Sequence, residues 1–351
     1  MAARLSVTAT DRRGILFDTT KNAYVNSQDS IGLRGAMLWR ALPKLDVTLS
    51  GDWNLQDPVC CAFNYASYGP KQRAANRQYP ALISYFPGYA VPSTNPFDRL
   101  TDVDAELMAR NEHGGVSARA VWRLDDRNTL TSITAWRFWD WGPVNDRDYT
   151  GLPTYTKVNN PTKQEQYTQE LRFNHEDNRL DFVTGLFAFY QEIRTSGIQQ
   201  TGPAASCWLL GPTSALSLNP AVLNDVVAIN DIRLDNTSFA LFGKANWRVT
   251  DRLTVSPGVR VNYDDKTDLY DSVVTATASN GTRQVVSPTP GSPSYNDPWT
   301  AAQRGVQASQ FFKQEFSDCN ISYDLISGMR SRETSTPTPT MRGLSRPLGS
   351  T

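Results

Sequence analysis

The chain has 351 residues, and its 35 Lys plus Arg are balanced by 35 Asp plus Glu, so it has no global charge with which to grip a polyphosphate and nucleic-acid binding is set aside. Mean hydropathy is -0.46, and no uninterrupted apolar run reaches the ~18 residues of a helical membrane span. A membrane strand stays open, because alternating lipid-facing and lumen-facing residues average to soluble-looking values. Aromatic residues make up 11%, and 22 Gly with 21 Pro suit many strands separated by turns and loops.

In chain order, the opening MAARLSVTATDRR passes straight into alternation without a basic or apolar leader region, so no secretory signal is read there. Period-two alternation appears at 4–10 and 31–41, and most clearly at 45–55. There Leu45, Val47, Leu49, Gly51, Trp53 and Leu55 share one face, and Asp46, Thr48, Ser50, Asp52 and Asn54 the other. The pattern returns at 115–124 and 165–175. Segments 128–140 and 179–193 are strand-like by composition but ambiguous in phase. At 237–248, Phe239, Leu241, Gly243, Ala245 and Trp247 oppose Ser238, Lys244, Asn246 and Arg248. At 253–263, Leu253, Val255, Pro257, Val259, Val261 and Tyr263 oppose Thr254, Ser256, Gly258, Arg260 and Asn262. With 316–325 the reading is about ten strands.

The connections alternate between tight and long. Links at 42–44, 125–127, 176–178 and 249–252 are short polar or Pro-containing hairpin turns. Those at 11–30, 56–114, 141–164, 194–236 and 264–315 are long, which is uncommon within compact soluble domains and usual on one side of outer-membrane barrels. Strands of about 11 residues, tilted near 45°, cover the roughly 25 Å apolar band of such a barrel. Trp53, Trp122, the group Trp136, Phe138, Trp139 and Trp141, and Tyr190, Trp247 and Tyr263 fall where interface girdles belong.

The stretches NTLTSITAWRFWDW, EQYTQELRFNHEDNRLDFVTGLFAFYQE and NTSFALFGKANWRVTDRLTVSPGVRVNYDDK resemble consecutive barrel strands of TonB-dependent outer-membrane receptors. The most family-specific runs are Q-E-L-R-F at 169–173 and G-L-F-A-F-Y at 185–190. The resemblance covers about residues 1–325, an internal part of the family's roughly 22-stranded barrel. It implies an all-β fold, an antiparallel up-and-down transmembrane β-barrel segment with long loops on one side and tight turns on the other. It also implies residence in outer-membrane lipid and energy-coupled import of a ferric siderophore, with cobalamin or an oligosaccharide as other cargoes. In the family a plug domain carries the box that contacts the TonB complex, and neither is found in this sequence; about ten strands cannot close around the lumen of such a barrel, so the chain alone is expected not to transport. Residues 326–351, rich in Ser, Thr, Pro and Arg, read as a disordered tail or as a segment translated out of frame.

Catalytic chemistry finds little material, and no catalytic residue, metal site or cofactor is nominated. His113 and His175 read as solvated residues at strand boundaries. Asp146 and Asp148 near Trp139 and Trp141, or Asp264 and Asp265 after Tyr263, raise a glycosidase reading, but adjacent loop aspartates are usually turn formers. Ligand contacts are expected from Tyr65, Tyr68, Tyr85, Phe86, Tyr89, Tyr149 and Tyr155, with Arg147 as an anion partner. Cys60, Cys61, Cys207 and Cys319 lack zinc-site spacing. Adjacent cysteines seldom join, so one of Cys60 and Cys61 bridging to Cys207 is weighed against free thiols. Two rivals are weighed: a soluble or secreted β-sandwich or β-solenoid binding carbohydrate through loop aromatics, and a degraded gene product without function of its own.

Overall fold

The computed structural model describes residues 1–329. Ten long strands form one sheet: β1 Ala2–Arg12, β2 Gln28–Leu42, β3 Leu45–Gln56, β4 Met108–Arg123, β5 Asn128–Val144, β6 Thr162–Glu176, β7 Leu180–Thr201, β8 Val227–Arg248, β9 Leu253–Thr277 and β10 Gln310–Met329. Each pairs antiparallel with its neighbours in sequence, an up-and-down meander from β1 to β10. Among the described residues β1 pairs only with β2, and β10 only with β9. Short strands Tyr155–Asn159 and Arg283–Val285 extend the sheet at its loop end, and Leu16–Asp18, Ala23–Val25 and Leu100–Thr101 make a small separate sheet. Four short helices lie in the loops: α1 Tyr79–Ile83, α2 Ala205–Leu210, α3 Ala215–Leu218 and α4 Thr300–Val306.

Register sorts the side chains into two faces, since residues directly opposite in a ladder share a side. Leu171, Leu186, Leu241, Val261 and Ile321 stand in one row across β6 to β10. Four residues toward the long loops, Trp136, Tyr167 and Tyr190 stand in another. Beyond that row the same face turns charged, with Glu165 and Glu192 opposite each other and Glu192 opposite Asp235. At the tight-turn end Trp39, Trp122 and Trp247 are exposed on this face. From Leu180 to Tyr190 the strand advances about 33 Å, which at a 45° tilt is about 23 Å of height, enough for the hydrocarbon core of such a barrel.

The other face is polar and more covered. Along β6, Tyr167, Gln169 and Leu171 are exposed, whereas Gln166, Thr168, Glu170 and Arg172 are half-buried, as in a sheet curled around its polar side. A β-sandwich buries its apolar faces against each other. Here the apolar row is left bare, with Leu186 56% and Leu241 55% exposed, so the sandwich alternative does not hold, and the sequential antiparallel meander is not a solenoid.

The strands run further than their alternation. β7 continues to Thr201, β8 begins at Val227 and β9 continues to Thr277. Past the apolar band the outer face meets water while the loops cover the inner one at Ala228, Val274 and Ala276, so the lipid–water division that imposes the alternation ends there, while backbone pairing persists. The two segments of uncertain phase are settled: Trp136 and Phe138 lie opposite Val116 and Gly114 on the apolar side, whereas Trp139 and Trp141 lie opposite His113 and Asn111 on the polar side. Trp139 donates its Nε1–H to Asn111 Oδ1 at 2.6 Å and stacks on Trp141, so this pair is not part of an outer girdle. His113 lies within β4 rather than at its start. β10 ends at Met329, four residues past the boundary read from alternation; the remainder of the expected tail, 330–351, lies outside the described residues. The structure joins the adjacent Cys60 and Cys61 to each other, against the expectation that neighbouring cysteines seldom bond, and leaves Cys207 and Cys319 as free thiols, the alternative weighed against a bridge to Cys207.

Candidate functional site: a polar wall and its loop cap

Charged side chains meet across the wall of the polar face. Asp52, Gly115 and Arg137 stand in one row over β3, β4 and β5. With no side chain between them, the Arg137 guanidinium reaches over Gly115 and forks onto Asp52, Nη1 to Oδ1 at 2.9 Å and Nη2 to Oδ2 at 2.8 Å. The same arrangement recurs over β8, β9 and β10, where Lys244 bonds Asp324 at 2.9 Å across Gly258. Arg260 lies over the rings of both Phe187 and Phe242. A polar, partly aromatic lining of this kind is chemically suited to a hydrated, oxygen-rich solute.

The long loops fold over the loop end of this face. Ala228 of β8 and Val274 and Ala276 of β9 pack with Ala205, Val222, Leu223, Val226 and Val286 in a fully buried cluster, against which Leu209, Trp299 and Val306 also lean. Gln303 of α4 is wholly buried and donates Nε2–H to the carbonyls of Val222 at 3.0 Å and Thr277 at 2.8 Å, tying two loops to one strand end. Arg77 donates to Leu209 O at 2.6 Å, which links the 57–107 loop to α2.

A second loop core gathers tyrosines and aspartates. Tyr68 stacks on Tyr79 with centroids 4.4 Å apart, Tyr65 packs on both, and Trp208 meets Tyr79 edge-on. The Tyr65 hydroxyl donates to Tyr149 O at 2.8 Å, and that of Tyr89 to Asp102 Oδ2 at 2.5 Å. Asp104, which precedes β4, is brought against Asp146 and Asp148, which follow β5, and carboxylate oxygens of the three lie within 4.8 Å of one another. Burial, reinforced by the neighbouring Asp146 charge, pushes the Asp104 carboxyl up to about 7 and that of Asp148 up to about 8. Burial also raises Asp146, against the pull of the Tyr149 and Asp148 N–H groups bound to its Oδ1.

The ligand residues expected from sequence are thus assembled, but mostly for structure. Tyr65, Tyr68, Tyr89 and Tyr149 knit the loop core, Phe86 faces Trp208, and Tyr155 is buried. Tyr85 stays exposed, and so does Arg147, whose guanidinium lies over the Tyr155 ring at 5.3 Å. Asp146 and Asp148 sit in a buried turn, not in a cleft as a glycosidase pair would. Sequence reading missed Asp104 as their companion. The shared Asp-x-Asp spacing of 102–104 and 146–148 was its only signal.

One face apolar and bare, the other polar and capped, tight turns at one end and long loops at the other: this is a segment of a transmembrane up-and-down β-barrel. No protein-family model matches the sequence, and no curated protein matches it. Among solved structures it is similar to the ferric yersiniabactin uptake receptor FyuA from Yersinia pestis, with TM-score 0.59 and 10% identity over 98% of this chain and 44% of that one. It is similar also to the open form of the ferric-catecholate import receptor Fiu from E. coli, with TM-score 0.53 and 11% identity over 94% of this chain and 48% of that one. The chain spans less than half the length of these receptors, and its fold is that of a stretch of their TonB-dependent-receptor barrel wall.

Proposed function

We propose that the chain forms part of the wall of an outer-membrane receptor that imports a ferric siderophore or a similarly bulky nutrient, and that it acts as a receptor rather than an enzyme. The single observation that carries this reading is the division of the sheet. An apolar band about 23 Å high is left bare on one face, while the long loops are folded against the other. The imported solute would meet the polar wall and the loop cap, with the exposed Arg147 guanidinium as a partner for an anionic chelate and Tyr85 as amphipathic contact area.

Among the described residues β1 and β10 each have one unpaired side, which bears on how such a wall works. In hydrocarbon an unpaired backbone group costs several kcal/mol, so transport requires both edges to be joined to further strands. Expression in cells lacking their siderophore receptors tests the reading. The chain is expected in the outer-membrane fraction, to need detergent for extraction, and to restore no iron uptake by itself. A chain that stays soluble and monomeric without detergent overturns the membrane assignment, and restored uptake overturns the requirement for joined edges.

A further inference from the structure

We propose that Asp104, Asp146 and Asp148 bind one divalent cation, calcium by preference, which staples the loop after β5 to the loop before β4. This inference concerns the loop cap and does not depend on what, if anything, is imported.

The first support is geometric. One carboxylate oxygen from each residue lies within 4.8 Å of the other two. Three oxygens spread evenly around one calcium ion at 2.3–2.6 Å lie about 4.0–4.5 Å apart, so separations bounded by 4.8 Å come within a few tenths of an ångström of what a single ion spans. The second support is a buried oxygen with nothing to bind. Asp146 is fully buried. Its Oδ1 accepts the N–H groups of Asp148 at 3.0 Å and Tyr149 at 2.8 Å, which orients the carboxylate, while Oδ2 has no hydrogen-bond partner. Asp104 Oδ1 is buried and unpartnered as well. Unmatched buried carboxylate oxygens are expensive, and paired ions or metals are the usual remedy.

Protein cations do not supply that remedy. Asp18 and Asp102 lie in the same loop core, bringing its carboxylates to five, but both have partners. Asp18 accepts the N–H groups of Thr20 and Lys21 at Oδ1, and its Oδ2, which has no hydrogen bond, faces the Lys21 ammonium at 3.9 Å, whereas Asp102 accepts from Thr20 and Tyr89. Lys21 is spent on Asp18 and on the carbonyl of Ala105, and Arg147 is turned onto Tyr155. Among the described residues no Lys, Arg or His forms an ion pair with Asp104, Asp146 or Asp148.

Donor chemistry selects the ion. The set is all oxygen, without the imidazole or thiolate that favours zinc or copper. Magnesium demands near-ideal octahedral geometry and keeps several waters, whereas calcium accepts irregular carboxylate cages on loops. Such an ion would hold Asp104 against the 145–161 turn, reinforcing the hydrogen bond of Asp104 N to Thr150 O at 3.3 Å.

The test uses the full chain purified in detergent, stripped with a chelator and titrated with calcium chloride by calorimetry, with melting followed in parallel. One calcium per chain is expected, with a dissociation constant between about 10 µM and 1 mM, together with a higher melting temperature and slower tryptic cleavage within 57–107 and 145–161. Magnesium at the same concentration should give a smaller melting shift. Asp104→Asn and Asp148→Asn should each weaken calcium binding at least tenfold and abolish the calcium-dependent part of the melting shift. Asp146→Asn, at the buried centre, should do so more severely; if it fails to fold, the two less buried variants decide. A cluster that is only structural gives a different pattern: no saturable calcium heat, a melting temperature indifferent to calcium and chelator, and Asn variants that are stabilised in both. That outcome, or undiminished calcium binding by the Asp104→Asn and Asp148→Asn variants, overturns the proposal.

Discussion

Arg137 of β5 and Asp52 of β3 form a two-toothed ion pair across an intervening strand, because the residue between them on β4 is Gly115. A Cβ on Gly115 would run into the Trp136 carbonyl and the Arg137 side chain. Gly115→Val is therefore expected to break the fork and strain the β4–β5 ladder, lowering stability by about 1–3 kcal/mol, the usual range for overpacking. Arg137→Met should cost less than about 1 kcal/mol, since both partners are substantially exposed. Urea unfolding in detergent compares the two; equal effects would mean that the glycine matters only through the ion pair.

The two faces of the wall should respond oppositely to charge. Leu241→Arg places a guanidinium in the middle of the bare apolar row and is expected to destabilise the membrane-inserted chain by about 2–4 kcal/mol. Thr168→Arg, on the polar face of β6, should be nearly neutral. Folding into lipid vesicles from urea measures both, and a larger penalty for Thr168→Arg would reverse the assignment of the faces.

Gln303 is a buried knot in the loop cap. Gln303→Ala leaves the carbonyls of Val222 and Thr277 without their donor, at an expected local cost of about 1–3 kcal/mol. Hydrogen exchange should quicken in 202–226 and in 278–309 and stay unchanged in β3 to β6. Exchange that quickens uniformly would show that the cap and wall unfold together.

Asp177 titrates at the tight turn between β6 and β7. Its Oδ1 accepts the N–H groups of Arg179 at 2.7 Å and Leu180 at 2.8 Å, which hold its carboxyl down to about 2. The folded value lies below the ~3.9 of an unfolded aspartate, so the stabilisation is present above about pH 4 and is lost as pH falls toward 2. Asp177→Ala should lower the unfolding midpoint at neutral pH, and the difference from the parent should shrink toward pH 2. A difference that holds constant through that range would remove the carboxylate from the explanation.

Ten strands and their pairing order were legible in the sequence wherever one side chain in two met grease, as at Leu45, Val47 and Leu49, or at Leu253, Val255 and Val259. The reason is local: a lipid–water division imposes period two on the residues themselves. Legibility stopped where that division stops. Around Asp231, Arg233 and Asp235 the charged residues stand on the outer face and Ile232 and Leu234 on the inner one, the reverse of the phase in the apolar band, so the membrane pattern does not mark β8 here, although its ladder to β9 is continuous. The direction of Trp139 and Trp141 was likewise invisible, because aromatic residues suit either face and register alone places them opposite Asn111 and His113.

The loop cap belongs entirely to tertiary structure. Asp146 and Asp148 read as turn formers, and they are; what makes them a candidate cation site is Asp104, more than forty positions earlier in the sequence. Hydropathy period is written residue by residue, so the sequence by itself determined a two-faced wall with turns at one end and loops at the other. The meeting of distant carboxylates depends on how β4 and β5 pair and on how their loops then pack, so only the tertiary structure decided which oxygens are buried together and left without partners.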